Sequence, residues 1–84
     1  MLTADPESMF VVEAFWDEEA SVWVATSDAL PGLVTEAETL EVLIPKLRVM
    51  IPELVAANQL FAERAHGVIG FELVGRRAEK IKVA

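Results

Sequence analysis

Near-continuous and alternating apolar positions in the first half of the chain predict three short strands. Residues 9–16 are apolar apart from Glu13, so both faces of this strand are expected to be largely covered. Residues 21–26 alternate in a second strand, and the short polar run between the two suits an antiparallel hairpin. A turn around Pro31-Gly32 then leads into a third strand over residues 33–37, because proline presets φ and glycine tolerates positive φ.

An apolar stripe at helical spacing predicts one helix over residues 40–58. The stripe comprises Leu40, Leu43, Ile44, Leu47, Ile51, Leu54 and Val55. Thr39 is a favourable N-cap residue, and it directly precedes the stripe. Pro45 and Pro52 each remove a backbone donor, so we expect a kinked helix, with a second short helix starting at Pro52 as the alternative.

The remaining pattern predicts a strand over residues 68–74 and a short fifth strand, Lys80–Val83, at a sheet edge. The element order β-β-β-α-β(-β) predicts an α+β fold, in which an antiparallel sheet carries one kinked helix on one face. We expect a flexible tail over residues 1–8 and a single domain over residues 9–84, with a connector at residues 62–67.

One helix can cover only one face of such a sheet. We expect Trp16 to face the helix and Trp23 to lie on the other face, although a one-residue shift in register would reverse this assignment. An uncovered apolar face would exceed the patch that a soluble monomer usually exposes, so we predict a homodimer or higher oligomer. The candidate interface for a partner or a second copy comprises Val11, Phe15, Trp23, Leu30, Pro31 and Gly32.

Composition narrows the class of protein. The chain has 84 residues, 54% of them hydrophobic, and no cysteine. A domain of this size buries only about 60% of its unfolded surface, and it has no disulfide, so self-association is an expected source of stability. Residues 1–9 do not resemble a signal peptide, and charges and prolines interrupt the apolar segment at residues 40–54. We therefore expect a cytoplasmic protein that does not span a membrane.

Charge is divided unevenly along the chain. Residues 1–41 contain ten acidic and no basic residues, whereas residues 42–84 contain seven basic and four acidic residues. An acidic half repels phosphate and attracts basic partners, so direct DNA binding is not expected. The basic cluster of Arg76, Arg77, Lys80 and Lys82 is interpreted as a solvated edge strand, with contact to RNA phosphates as the alternative.

No motif for catalysis or metal binding is apparent. Asp17-Glu18-Glu19 lacks the interleaved spacing of a calcium loop, so a solvated turn is expected there. His66 is the single histidine, and it has no cysteine or serine signature beside it to suggest a metal site or a nucleophile. We predict no enzyme activity, no metal and no cofactor, and we keep a small carboxylate-dependent hydrolase as the weakest alternative.

A set of ordered segments resembles a short HicB-like branch that is catalogued as a domain of unknown function. The set comprises Trp16-Asp17-Glu18-Glu19-Ala20, Val22-Trp23-Val24-Ala25, Leu30-Pro31-Gly32-Leu33-Val34-Thr35-Glu36-Ala37, Thr39-Leu40, Ile51-Pro52-Glu53-Leu54 and Asn58. The resemblance implies the β-β-β-α-β fold of HicB N-terminal domains. It also implies an antitoxin that blocks a small basic HicA-type ribonuclease, although this sequence lacks the DNA-binding module of typical HicB proteins.

The leading hypothesis is therefore a non-enzymatic, oligomeric interaction module, and specifically an antitoxin that sequesters a basic RNA-cleaving toxin. The alternative is a stand-alone module that binds another protein or a small ligand.

Overall fold

The computed structural model describes residues 9–58 and 69–84, so the predicted tail and the predicted connector lie outside the described residues. The elements are β1 (Met9–Asp17), β2 (Val22–Thr26), β3 (Val34–Ala37), α1 (Leu40–Ala57) and β4 (Gly70–Arg76). This is an α+β fold with the predicted element order.

The strands form one sheet in the order β3-β2-β1-β4. β1 pairs antiparallel with β2, and β2 pairs antiparallel with β3, as the hairpin pattern predicts. β4 pairs parallel with β1, so the sheet is mixed and the prediction of a fully antiparallel sheet is wrong. Parallel neighbours need a long crossover, and the chain between β3 and β4, which contains the 18-residue helix α1, provides it.

Helix α1 begins where the sequence predicts. The Thr39 hydroxyl accepts a hydrogen bond from the Val42 backbone N–H at 3.1 Å, which satisfies one of the free donors of the first turn. The helix continues through Pro45 and Pro52 as one element, so the alternative of a separate helix starting at Pro52 is wrong. Within the described residues, no helix has the length and apolar character needed to cross a membrane.

The core lies between α1 and one face of the sheet. Leu43, Leu47, Ile51 and Val55 form the buried side of the helix, one turn apart along its length. The sheet contributes Phe10, Val12, Ala14, Ala25 and Ala37 to the same cluster. Leu30 and Leu33, from the segment between β2 and β3, complete the cluster and are almost fully buried.

The last residues of the chain do not form the predicted fifth strand. Residues 77–84 follow β4 without secondary structure, and all of them are exposed. The physical reason is geometric: β4 pairs with β1 up to the Phe15–Arg76 pair, and β1 ends at Asp17. Within the described part of its own chain, the segment Lys80–Val83 therefore has no neighbouring strand with which to pair.

Candidate functional site

The register of the sheet divides its side chains between two faces. Phe15 is paired with Val24 on one side and with Arg76 on the other, and Val24 is in turn paired with Glu36. Directly paired residues share a face, so this row crosses all four strands on the side away from α1. We call this side the open face.

Apolar side chains dominate much of the open face. Met9, Val11 and Phe15 of the central strand β1 keep 45%, 45% and 46% of their surface exposed, and Val34 at the β3 edge keeps 63%. Val24 lies beside Phe15 and is half-buried. These half-exposed apolar groups on a central strand make the open face a candidate contact site.

Charged side chains interrupt and flank this strip, and most of them are acidic: Glu13 lies within it, between Val11 and Phe15 on β1. Across its central rows the open face carries Glu13, Glu36, Glu72 and Arg76. The Arg76 guanidinium lies 3.2 Å from the Glu13 carboxylate and forms an ion pair that joins β4 to β1. No described residue forms an ion pair with Glu36 or Glu72. The open face therefore combines exposed apolar groups with a net negative charge.

Both tryptophans lie on the helix side of the sheet. Trp16 is paired with Trp23, and Trp23 packs against the buried cluster, so the prediction that Trp23 lies on the uncovered face is wrong. The cause is the register of the hairpin: even-numbered residues of β1 pair with odd-numbered residues of β2, so residues of opposite parity share a face. Trp16 lies on the helix side, as predicted.

The two half-buried indoles form a small cluster with the start of the C-terminal segment. Their ring centroids are 5.6 Å apart in an edge-to-face arrangement, at an interplanar angle of 65°. The Arg77 guanidinium lies 4.0 Å from the centroid of the Trp16 ring and also contacts the Glu79 carboxylate at 3.1 Å. The Trp16 indole N–H donates to Glu18. These contacts hold the chain after β4 against the β1–β2 hairpin.

The turn Leu30-Pro31-Gly32, which we call the Leu-Pro-Gly corner, has a structural role. Leu30 is fully buried in the core, so its placement in a partner interface is wrong. Pro31 and Gly32 are exposed, and Gly32 adopts a φ of 89°, a conformation that glycine takes without strain. The Asn58 side-chain amide donates to the Pro31 carbonyl at 3.3 Å and to the Leu54 carbonyl at 2.9 Å, which ties the corner to the end of α1.

The acidic turn between β1 and β2 is organised by its own backbone. The Asp17 carboxylate accepts hydrogen bonds from the backbone N–H groups of Glu19 and Ala20, at 3.1 and 3.3 Å. Ser21 closes the turn by donating its N–H to the Asp17 carbonyl at 2.8 Å. Across residues 9–58 and 69–84, no three His, Cys, Asp or Glu side chains are grouped to hold a metal ion. His66 lies outside the described residues.

Of the six candidate interface residues, only Val11 and Phe15 lie together on the open face. Val34, Glu36 and Glu72 also lie on this face through the strand register, but they were not among the predicted interface residues. The alternation of apolar and polar residues within a strand identifies which of its residues lie on the same face of that strand. The pairing between strands decides which of those faces meet, and no local pattern encodes that pairing.

Comparison with known proteins places the chain among uncharacterised relatives. A family model described as a domain of unknown function, DUF1902, matches residues 9–84. A hypothetical protein from the extremely thermophilic bacterium Thermus thermophilus, solved by crystallography, is 44% identical. It superposes with a TM-score of 0.62 over 89% of this chain and 99% of that chain. No curated protein matches the chain.

Proposed function

The chain belongs to the family described as a domain of unknown function, DUF1902, and we propose that it is a non-enzymatic module that binds a basic protein on the open face. The observation that carries the proposal is the half-exposed Phe15 and Val11 of the central strand, set among the carboxylates of Glu36 and Glu72. Aromatic and aliphatic anchors inside a charged rim are typical of protein interfaces.

Charge favours a basic partner over a second copy of the same face. Two open faces stacked on each other would bring Glu36 and Glu72 of each copy close to the same acidic groups of the other. Like charges that face each other across an interface oppose binding, whereas a cationic surface would be attracted and oriented. The acidic first half of the chain adds a long-range field of the same sign.

The resemblance to HicB-like antitoxins suggests which class of basic protein this partner belongs to. A small basic ribonuclease of the HicA type carries the positive surface that the open face would attract, and covering that surface would block its access to RNA. We therefore propose that the chain is an antitoxin of this kind, acting in the cytoplasm. The resemblance of residues 11–58 to the HicB-like pattern supports this finer proposal.

The test is co-expression with a short basic protein encoded beside this chain, which the antitoxin proposal requires. We expect the wild-type chain to relieve the growth arrest that the basic protein causes and to co-purify with it. The variant Glu36→Lys with Glu72→Lys should lose both effects, because it reverses the charge around the apolar strip.

The matched control carries the same change in net charge at exposed positions elsewhere. Glu19→Lys with Glu53→Lys alters the hairpin turn and the outer side of α1, so this variant should still relieve the arrest. Equal rescue by both variants would show that the open face is not the binding surface. A neighbouring frame that encodes no small basic protein, or one that never co-purifies with the wild-type chain, would contradict the antitoxin role.

A further inference from the structure

We propose that residues 77–84, which we call the C-terminal arm, form a strand on the outer edge of β4 of a second copy of this chain. Two copies would exchange arms across a two-fold axis and join their sheets edge to edge. This interface runs along the outer edge of β4 and shares only β4 residues, such as Glu72, with the open face. Its test measures the oligomeric state of the chain alone, so the result is distinct from that of the partner-binding test.

The C-terminal arm follows β4 directly and begins where the pairing of β4 with β1 ends. The β1–β4 register ends with the Phe15–Arg76 pair, and β1 stops two residues later at Asp17. Eight residues of extended chain reach about 26 Å, at roughly 3.3 Å per residue. The C-terminal arm is therefore long enough to lie beside a full strand of another molecule.

The sequence of the C-terminal arm is typical of a strand at a sheet edge, although its apolar side chains are exposed to solvent. Ile81 and Val83 keep 83% and 80% of their surface exposed, and they alternate with Lys80 and Lys82. This period of two places apolar groups on one side and charged groups on the other once the segment is paired in a sheet. In the isolated chain, both apolar side chains remain in contact with water.

Of the two edges of the sheet, β4 is the better acceptor. The Lys46 ammonium donates a hydrogen bond to the Glu36 carbonyl of β3 at 2.6 Å, and this bond occupies a backbone acceptor on that short strand. β4 has seven residues against four in β3, and within the described residues nothing pairs with its outer edge. An unpaired strand edge of this kind accepts an added strand readily.

An antiparallel register centred on Arg76 satisfies both charge and apolar contact. Lys80 of one copy then lies opposite Glu72 of the other on the open face, while Ile81 lies opposite Phe71 on the helix face. Phe71 is half-buried and packs against the core, so Ile81 would extend that cluster. The two central arginines are each neutralised by their own Glu13 at 3.2 Å.

Pairing between two arms alone is less favourable. An antiparallel pair centred on Ile81 would place Lys80 of one arm opposite Lys82 of the other, and like charges directly opposite each other are destabilising. The C-terminal arm therefore pairs more favourably with β4, which places the Glu72 carboxylate opposite Lys80, than with a second C-terminal arm.

The test is the oligomeric state of the full chain in sedimentation equilibrium. We expect the wild-type chain to be a dimer, and the variant Ile81→Asp with Val83→Asp to be a monomer. Lys80→Glu and Glu72→Lys should each raise the dimer dissociation constant about tenfold, since the charge pair occurs twice across the axis. Combining the two should restore wild-type dimerisation, because the pair is then rebuilt with reversed signs.

Val49→Asp, at an exposed position of α1, is the matched control for adding a carboxylate and should remain a dimer. A monomeric wild-type chain at its highest soluble concentration would overturn the proposal. Dimers that survive the arm substitutions but dissociate with Phe15→Asp would assign the interface to the open face instead. Failure of the charge-swapped double variant to recover would overturn the pairing of the C-terminal arm with β4.

Discussion

At the scale of single residues, several positions of the HicB-like pattern have structural roles. Asn58 links the end of α1 to the Pro31 carbonyl, Gly32 supplies the positive φ of the corner, and Thr39 caps the helix that follows. Leu30 from the same corner is fully buried. The contacts of these residues account for how the chain turns after β2 and for how α1 begins and ends.

The cap at Thr39 gives a direct test at this scale. Thr39→Ala should lower the free energy of unfolding by about 1 kcal/mol, because the Val42 N–H loses its side-chain acceptor. Thr39→Ser keeps the hydroxyl and should remain close to wild type. Urea denaturation followed by circular dichroism measures both. Equal stability of the alanine and serine variants would mean that the hydrogen bond contributes nothing to stability.

At the scale of elements, the sequence predicts what is local. Helix α1 begins at the predicted residue, and each of the first three strands ends within one residue of its expected boundaries, because capping and alternation act over a few residues. The parallel pairing of β4 depends on contacts between distant segments. The shared face of the two tryptophans depends on the register of the β1–β2 hairpin, which alternation within either strand does not specify. The predicted fifth strand failed for the same reason: strand-like alternation forms a strand only where a neighbour exists.

The two prolines of α1 carry the prediction at this scale. Pro52 lies in the helix interior and is exposed, so Pro52→Ala restores a donor for the Arg48 carbonyl without loss of packing. We expect the free energy of unfolding to rise by about 1–2 kcal/mol, once the gain in unfolded-chain entropy is subtracted. Thermal and urea unfolding measure the change.

Pro31→Ala is the matched control, because Pro31 lies in the corner outside the helix. There the substitution only frees the unfolded chain, so it should lower stability by up to about 1 kcal/mol. A loss of stability in Pro52→Ala would show that the helix needs a proline-dependent bend in order to pack Ile51 and Val55 against the sheet. The unfolding measurements therefore test the predicted kink of the helix.

At the scale of the whole molecule, the sheet separates two roles. One face and α1 form the core, and the other face presents Phe15 and Val11 among carboxylates. The concentration of acidic residues in the first half of the chain was evident from the sequence. Only the strand pairing shows that Glu13 and Glu36 share the open face with Glu72 from the basic half.

The most direct test of this account is isothermal titration calorimetry with the proposed partner, a small basic protein whose gene is expected to neighbour that of this chain. Phe15→Asp removes the largest apolar group of the open face, whereas Val49→Asp adds the same carboxylate on the outer surface of α1. Circular dichroism first establishes that both variants are folded. We predict that Phe15→Asp raises Kd at least about thirtyfold and that Val49→Asp leaves it within about twofold of wild type. Wild-type affinity in the Phe15→Asp variant would contradict the assignment of the open face as the binding surface.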